Sequence, residues 1–135
     1  MADVTVVAAS IRPLGGCIIR RFTAGEAMTP GQPVYLSAND TVSLTDASAV
    51  ATNFCIGVVV AGASGGATIA SGEECDVVLF GPVTGYSTNM VVNKPYYTDN
   101  DAGVIADAAG DKDTIIGWGL NGSTMLVHPQ VIDLS

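Results

Sequence analysis

The sequence predicts an all-β domain, a compact barrel or sandwich of short strands, and three observations predict it. Apolar residues come in short runs rich in Val, Ile, Thr and aromatics, broken by Gly, Pro, Asn and Asp, and no stretch keeps a helical period over three turns. A phrase occurs twice: Met28, Pro33 and Tyr35 recur as Met90, Pro95 and Tyr97, each at an offset of 62 residues. Asn121-Gly122 stands between two apolar runs, the strongest short hairpin pattern a sequence offers. One supersecondary unit used twice accounts for the repeat.

Taken in order, residues 2–10 are Val- and Ala-rich and extended by propensity, until Pro13, Gly15 and Gly16 interrupt them. Residues 1–16 therefore read as an extended N-terminal arm, and residues 17–135 as a single β domain with two related units, about 17–80 and 81–135. Residues 17–23 are the first body strand. Residues 33–37 and 41–45 alternate apolar with polar and form a hairpin across Asn39 and Asp40. Gly31 and Asn93 correspond between the units, and both residue types tolerate a positive φ. Residues 46–53 suggest a short helical turn with Asp46 as its N-cap. Residues 54–61 are continuously apolar, as a strand buried on both faces would be, and residues 75–80 form a second such strand. In the second unit, residues 107–113 are a polar excursion, 115–120 pair with 123–128, and 131–134 add an edge strand. Gly57 and Gly117 lie mid-strand at matching places, where a bulge or a close backbone approach excludes a side chain.

Composition narrows the function. The chain of 135 residues holds one domain, 48% hydrophobic and only 13% charged, against roughly 25% charged in an average protein. So small a body cannot bury that much apolar surface alone, so part of it is expected to meet another protein. The net charge is −8 with five basic residues, which excludes a phosphate-neutralising footprint and repels anionic membranes. No apolar run approaches the ~20 residues of a membrane helix. Cys17, Cys55 and Cys75 are odd in number and lack a C-x-x-C spacing, so they read as small buried hydrophobes of a reducing compartment. The N-terminus lacks the charged and apolar regions of a secretory signal, pointing to synthesis in a cytosol.

The search for chemistry is short. His128 is the single histidine, too few for a metal cluster or a triad of the usual kind. The glycine runs at 62–66 and 81–85 lack the Gly-Lys-Ser/Thr ending of a phosphate loop. Asp99, Asp101, Asp107, Asp111 and Asp113 gather loosely but do not follow the EF-hand spacing, so solvated turns are the reading here. No catalytic, metal or cofactor-binding residue is assigned. Tyr96 and Tyr97 are strand neighbours, so one faces the core and the other the surface; with Trp118 they are the candidate interface aromatics.

Residues 24–36, together with Ile56-Gly57, Gly81-Pro82-Val83 and Pro95-Tyr96-Tyr97, resemble small tailed-phage head decoration proteins, the capsid cement or head-fibre family. The likeness spans about residues 17–128 and rests on turn glycines and apolar strand positions. It implies a β-clip or β-tulip-like body, commonly a homotrimer, seated on the outer capsid surface of a virion made in the host cytoplasm. Its partner would be the major capsid protein, with no nucleic acid and no membrane. The arm residues Val4, Thr5, Val6, Val7 and Ile11 would make the capsid contact, and deleting residues 2–10 would leave the body folded. Two other readings stand beside it: a carbohydrate-binding module using Tyr96, Tyr97 or Trp118, and a tail or baseplate subunit. The shortage of His, Lys and paired acids argues against an enzyme.

Overall fold

Among the described residues turn residues cut the chain into ten strands, most ending where Gly, Pro, Asn or Asp makes extension unfavourable. They are β1 (Arg12–Pro13), β2 (Ile18–Ala24), β3 (Pro33–Ala38), β4 (Thr41–Leu44), β5 (Cys55–Gly62), β6 (Glu74–Thr84), β7 (Pro95–Thr98), β8 (Ile105–Ala106), β9 (Asp113–Asn121) and β10 (Thr124–Asp133). This computed structural model describes residues 3–4, 6–86 and 89–133. Among them the only helical turns are two short 3-10 segments, Ala8–Ser10 and Val50–Thr52. The protein is all-β.

The first five body strands close on themselves. β2 runs parallel to β4, β4 pairs with β3, β3 with β5, β5 with β6, and β6 returns to β2, so five strands make a small barrel. Closure removes most of the sheet edge, which in a small protein is a liability. Only the first part of β6 belongs to the barrel. From Gly81 onward it pairs instead with β10 on one side and, at Val83 and Thr84, with β1 on the other. Gly81 makes the handover with a φ of 132°, and a Cβ there would stand 2.7 Å from the Cys17 sulfur. Beyond β10 the sheet continues through β9, β7 and β8.

The order β4-β3-β5-β6-β10-β9-β7-β8 reads alike from both ends, with each strand of the first half mirrored by its counterpart in the second. The registers agree residue by residue. Pro33 faces Val58 and Val34 faces Gly57, then after a shift Tyr35 faces Cys55. In the other half Pro95 faces Trp118, Tyr96 faces Gly117, and after the same shift Tyr97 faces Ile115. Met28 and Met90 are both buried, and the turns before β3 and β7 place Gly31 at φ 100° and Asn93 at φ 65°, the left-handed conformation their types tolerate.

Two apolar cores result. One fills the barrel with Phe22, Ala24, Val34, Val42, Val59, Cys75 and Val77. The other lies between β5, β6 and the second half, around Val58, Val60, Val78, Val83, Ile116, Met125 and Val127. β5 serves both, Val59 on one face and Val58 and Val60 on the other, as its unbroken apolar run predicts. Phe54 departs from that expectation: it precedes the strand and is 54% exposed. Asp46 also departs from it. Its carboxylate accepts from the Ser48 amide in a local turn, while Ala49 occupies the N-cap of the 3-10 segment without a side-chain bond. The expected last edge strand is simply the end of β10, which passes Pro129 at a bulge between Val127 and Gln130, where the ladder needs no N–H.

Candidate interaction surface

The N-terminal arm is not extended throughout, since the 3-10 turn Ala8–Ser10 interrupts it, and it is packed onto the body. Asp3 bridges to Ala106 and Val6 to Tyr86, and the Val4 amide donates to the Ile105 carbonyl at 2.7 Å. Val4 and Ile11 are buried members of the second core, and Val6 packs half-buried against it. Of the arm residues assigned to capsid contact, Val4 and Ile11 are thus occupied internally, Val7 is 45% exposed, and Thr5 lies outside the described residues. The correction has a simple cause: alternation in an isolated extended segment shows which side chains share a face, not which face meets the chain's own core. Tyr86 ties the same region to the first unit, its hydroxyl donating to the Gly31 carbonyl at 3.0 Å.

The aromatics divide as strand alternation requires. Tyr96 is buried, and its hydroxyl accepts from the Val91 amide at 2.8 Å, so it is unavailable as an anchor. Tyr97 and Trp118 are half-buried on the opposite face of β7 and β9, beside Pro95. The structure does not join them to the arm.

The larger apolar surface lies elsewhere. Ile18 and Ile19 on β2 are 59% and 44% exposed, Phe80 faces Ile18 across the ladder, and the Phe80 ring meets His128 edge to face at 5.2 Å. Beside them Phe22, Leu36, Ile56, Leu79 and Pro129, from β2, β3, β5, β6 and β10, line a shallow groove of about 430 Å³. Arg20 crosses its rim over the Phe22 ring, 4.8 Å from the centroid, and pairs with Asp40 at 2.7 Å. Arg21 pairs with Asp76 at 3.1 Å and Glu74 at 3.4 Å. A second exposed group, Val91, Val92 and Leu120, sits where the loop before β7 passes Gly119. The sequence marks residues 17–23 as a strand, yet its edge could be found only from the pairing of distant strands.

Burial pushes the Cys55 thiol up to about 12 and the Cys75 thiol to about 11, and raises Cys17 as well, so none favours the reactive thiolate at neutral pH. Among the described residues no three His, Cys, Asp or Glu side chains gather in a metal-binding arrangement. The acidic stretch is only partly the solvated turn expected of it: the Asp99 carboxylate, buried, accepts from the Asp101 amide and Asn100 from the Asp111 amide, Lys94 pairs with Asp107 at 3.1 Å, and Asp113 opens β9 with one carboxylate oxygen buried and without a hydrogen bond. Asn53 is fully buried, accepting from the Thr98 hydroxyl through its side chain and from Thr114 through its carbonyl, which pins the start of β5 beneath β7 and β9.

Glu73 staples the loop between β5 and β6. Its carboxylate accepts from the Ser64 amide at 3.0 Å, the Ser64 hydroxyl at 2.9 Å and the Ala70 amide at 3.2 Å, and these bonds lower its pKa. A lowered folded-state value means the contribution is complete above the ordinary glutamate range, about 4.3, and is lost as pH falls through the folded value. The protection factors of the Ser64 and Ala70 amides, taken relative to the intrinsic rate at each pH, are therefore expected to hold constant above that range and to fall below it, before global unfolding. Protection unchanged down to global unfolding would contradict the staple.

Compared with known proteins, the chain matches no protein-family model, and no curated protein matches it.

Proposed function

We propose that the chain is a structural virion subunit, a decoration or cement protein that binds the outer surface of an icosahedral phage capsid, and that it acts as a homotrimer rather than as an enzyme. The observation that carries the reading is the amount of apolar side chain left on the surface of so small a body: Ile18, Ile19, Leu36, Phe54, Phe80, Val91, Val92 and Leu120 are all exposed. Surface of that kind is satisfied by neighbouring protein. The resemblance of residues 24–36 and their repeat to head decoration proteins names the major capsid protein as that neighbour. The net charge of −8 keeps packaged DNA from being a direct ligand.

The physics of cementing is mass action. A protein that binds the assembled shell and not its dissociated subunits adds free energy to the shell alone. Three copies joined together multiply weak contacts through their effective concentration. Of the arm residues assigned to that contact, Val7 is exposed among those described, and Tyr97 and Trp118 offer a second area on the outer face of β7 and β9. The test mixes purified protein with expanded empty capsids and sediments them. Co-sedimentation, with a rise in the temperature at which the shells come apart, is the expected result. Protein that stays in the supernatant at every concentration would refute the proposal.

A further inference from the structure

β2 has one bare edge. β4 reaches it only at Thr23 and Ala24, so from Ile18 to Phe22 no strand lies on that side among the described residues. The Thr23 amide points to that side, donating to the Asp40 carbonyl at 2.9 Å, whereas the Ala24 amide points to the β6 side, donating to Glu73 at 2.8 Å. Amide direction alternates along a strand, so Ile19 and Arg21 turn their N–H and C=O groups out to the bare edge. An unpaired row of this kind beside exposed Ile18 and Ile19 is a template for another strand.

The molecule itself shows what covers such an edge. A Cβ on Gly57 would strike the Val78 carbonyl and one on Gly117 the Leu126 carbonyl, which makes Val78 and Leu126 equivalent in the two halves. Val78 faces Ile19, and Leu126 faces Pro82, so Ile19 to Arg21 correspond to Pro82 to Thr84. In the second half that edge carries β1: Arg12 faces Thr84, Pro13 faces Val83, and the Leu14 amide donates to the Pro82 carbonyl at 2.9 Å. In the first half the same place is open.

We infer that the bare edge of β2 is completed by the end of β10 from a second copy of this chain. That segment is itself an incomplete edge. β6 pairs with β10 only at residues 124–127, so from Gln130 to Asp133 it has β9 on one side and no strand on the other among the described residues. Val131 and Ile132 there are 40% and 53% exposed. The charges also select it. Pairing β2 with another β2 would set Arg20 and Arg21 against their own copies, whereas Gln130-Val131-Ile132-Asp133 has no cation and one carboxylate. Joining two different edges makes a head-to-tail contact, which closes into a ring when the rotation allows. The inference rests on the self-association part of the function proposed above and not on the capsid.

The test uses the full-length protein and two edge variants, with mass followed by analytical ultracentrifugation over a concentration series. Ile19→Pro removes an outward N–H while leaving the β6 ladder intact; Ile132→Lys places a charge on the other edge. The wild type is expected to self-associate, and each variant alone to be a monomer. An equimolar mixture of the two is expected to form a dimer and nothing larger, since each keeps the edge the other lacks. Should Ile19→Pro lose its cooperative melt, Ile19→Lys takes its place in the same scheme. A wild type that stays monomeric, a variant that assembles like the wild type, or a mixture that stays monomeric would overturn the pairing. A monomer that still binds capsids would sink this inference and leave the capsid reading standing.

Discussion

Gly57→Ala is expected to destabilise the protein by about 3–5 kcal/mol, at the upper end of single-substitution effects, and Gly117→Ala by a similar amount. A Cβ on Gly57 would lie 2.1 Å from the Val78 carbonyl oxygen, and one on Gly117 lies 2.1 Å from the Leu126 oxygen. In both places the obstacle is backbone, so no rotamer change relieves it. Val78 is held from two sides, facing Ile19 of β2 and Val58 of β5, and shifting it by the roughly 1 Å an ordinary contact requires would loosen both ladders. Gly15→Ala is the control: a Cβ there meets nothing within 4 Å and its φ is not in the left-handed region, so its effect is expected within about 0.5 kcal/mol. Urea unfolding of the three variants measures the difference. A Gly57→Ala midpoint close to that of Gly15→Ala would show that the strands are not in the close contact described.

These two glycines also mark how far the sequence could be read. Their matching positions, the Met-Pro-Tyr repeat and the pairing of Gly31 with Asn93 are local properties, set by φ and by side-chain volume, and each reappears in the structure. The Asn121-Gly122 hairpin and the doubly buried β5 are legible for the same reason. The sharing of β6 between barrel and second sheet is not: Gly81-Pro82 reads as the end of the strand at residues 75–80, whereas β6 runs on through both to Thr84, Gly81 taking a φ of 132° at the change of partners. Edges are equally hidden. Nothing in Ile18-Ile19-Arg20-Arg21 says that β4 stops short at Thr23, and nothing in Val4 or Ile11 says that an arm folds back under the second half. Those facts come from which distant segments pair, and alternation is blind to that. The interface aromatics illustrate both cases: Tyr96 and Tyr97 had to divide, but only the pairing of β7 with β9 decides which is buried.

Deleting residues 2–10 is expected to lower stability by about 2–4 kcal/mol, from the loss of one fully and one partly buried valine and the void they leave. Val4 and Val6 leave the second core, the Val4 bond to Ile105 is lost, and the bridges to Ala106 and Tyr86 go with it. Gly31 loses its cover on one side as well, for a Cβ there would stand 2.5 Å from Val6. Read as sequence alone the arm was dispensable to the body, so a melting temperature unchanged by the deletion would restore that view and refute the packing described here. The consequence for function is practical. If the truncated protein is both less stable and unable to sediment with capsids, the deletion cannot say whether the arm touches the capsid or only holds the body together. Val7→Lys separates the two, because Val7 is exposed and belongs to neither core. Reduced capsid binding at unchanged melting temperature would assign the contact to the arm, and full binding would show that Val7 makes no part of it.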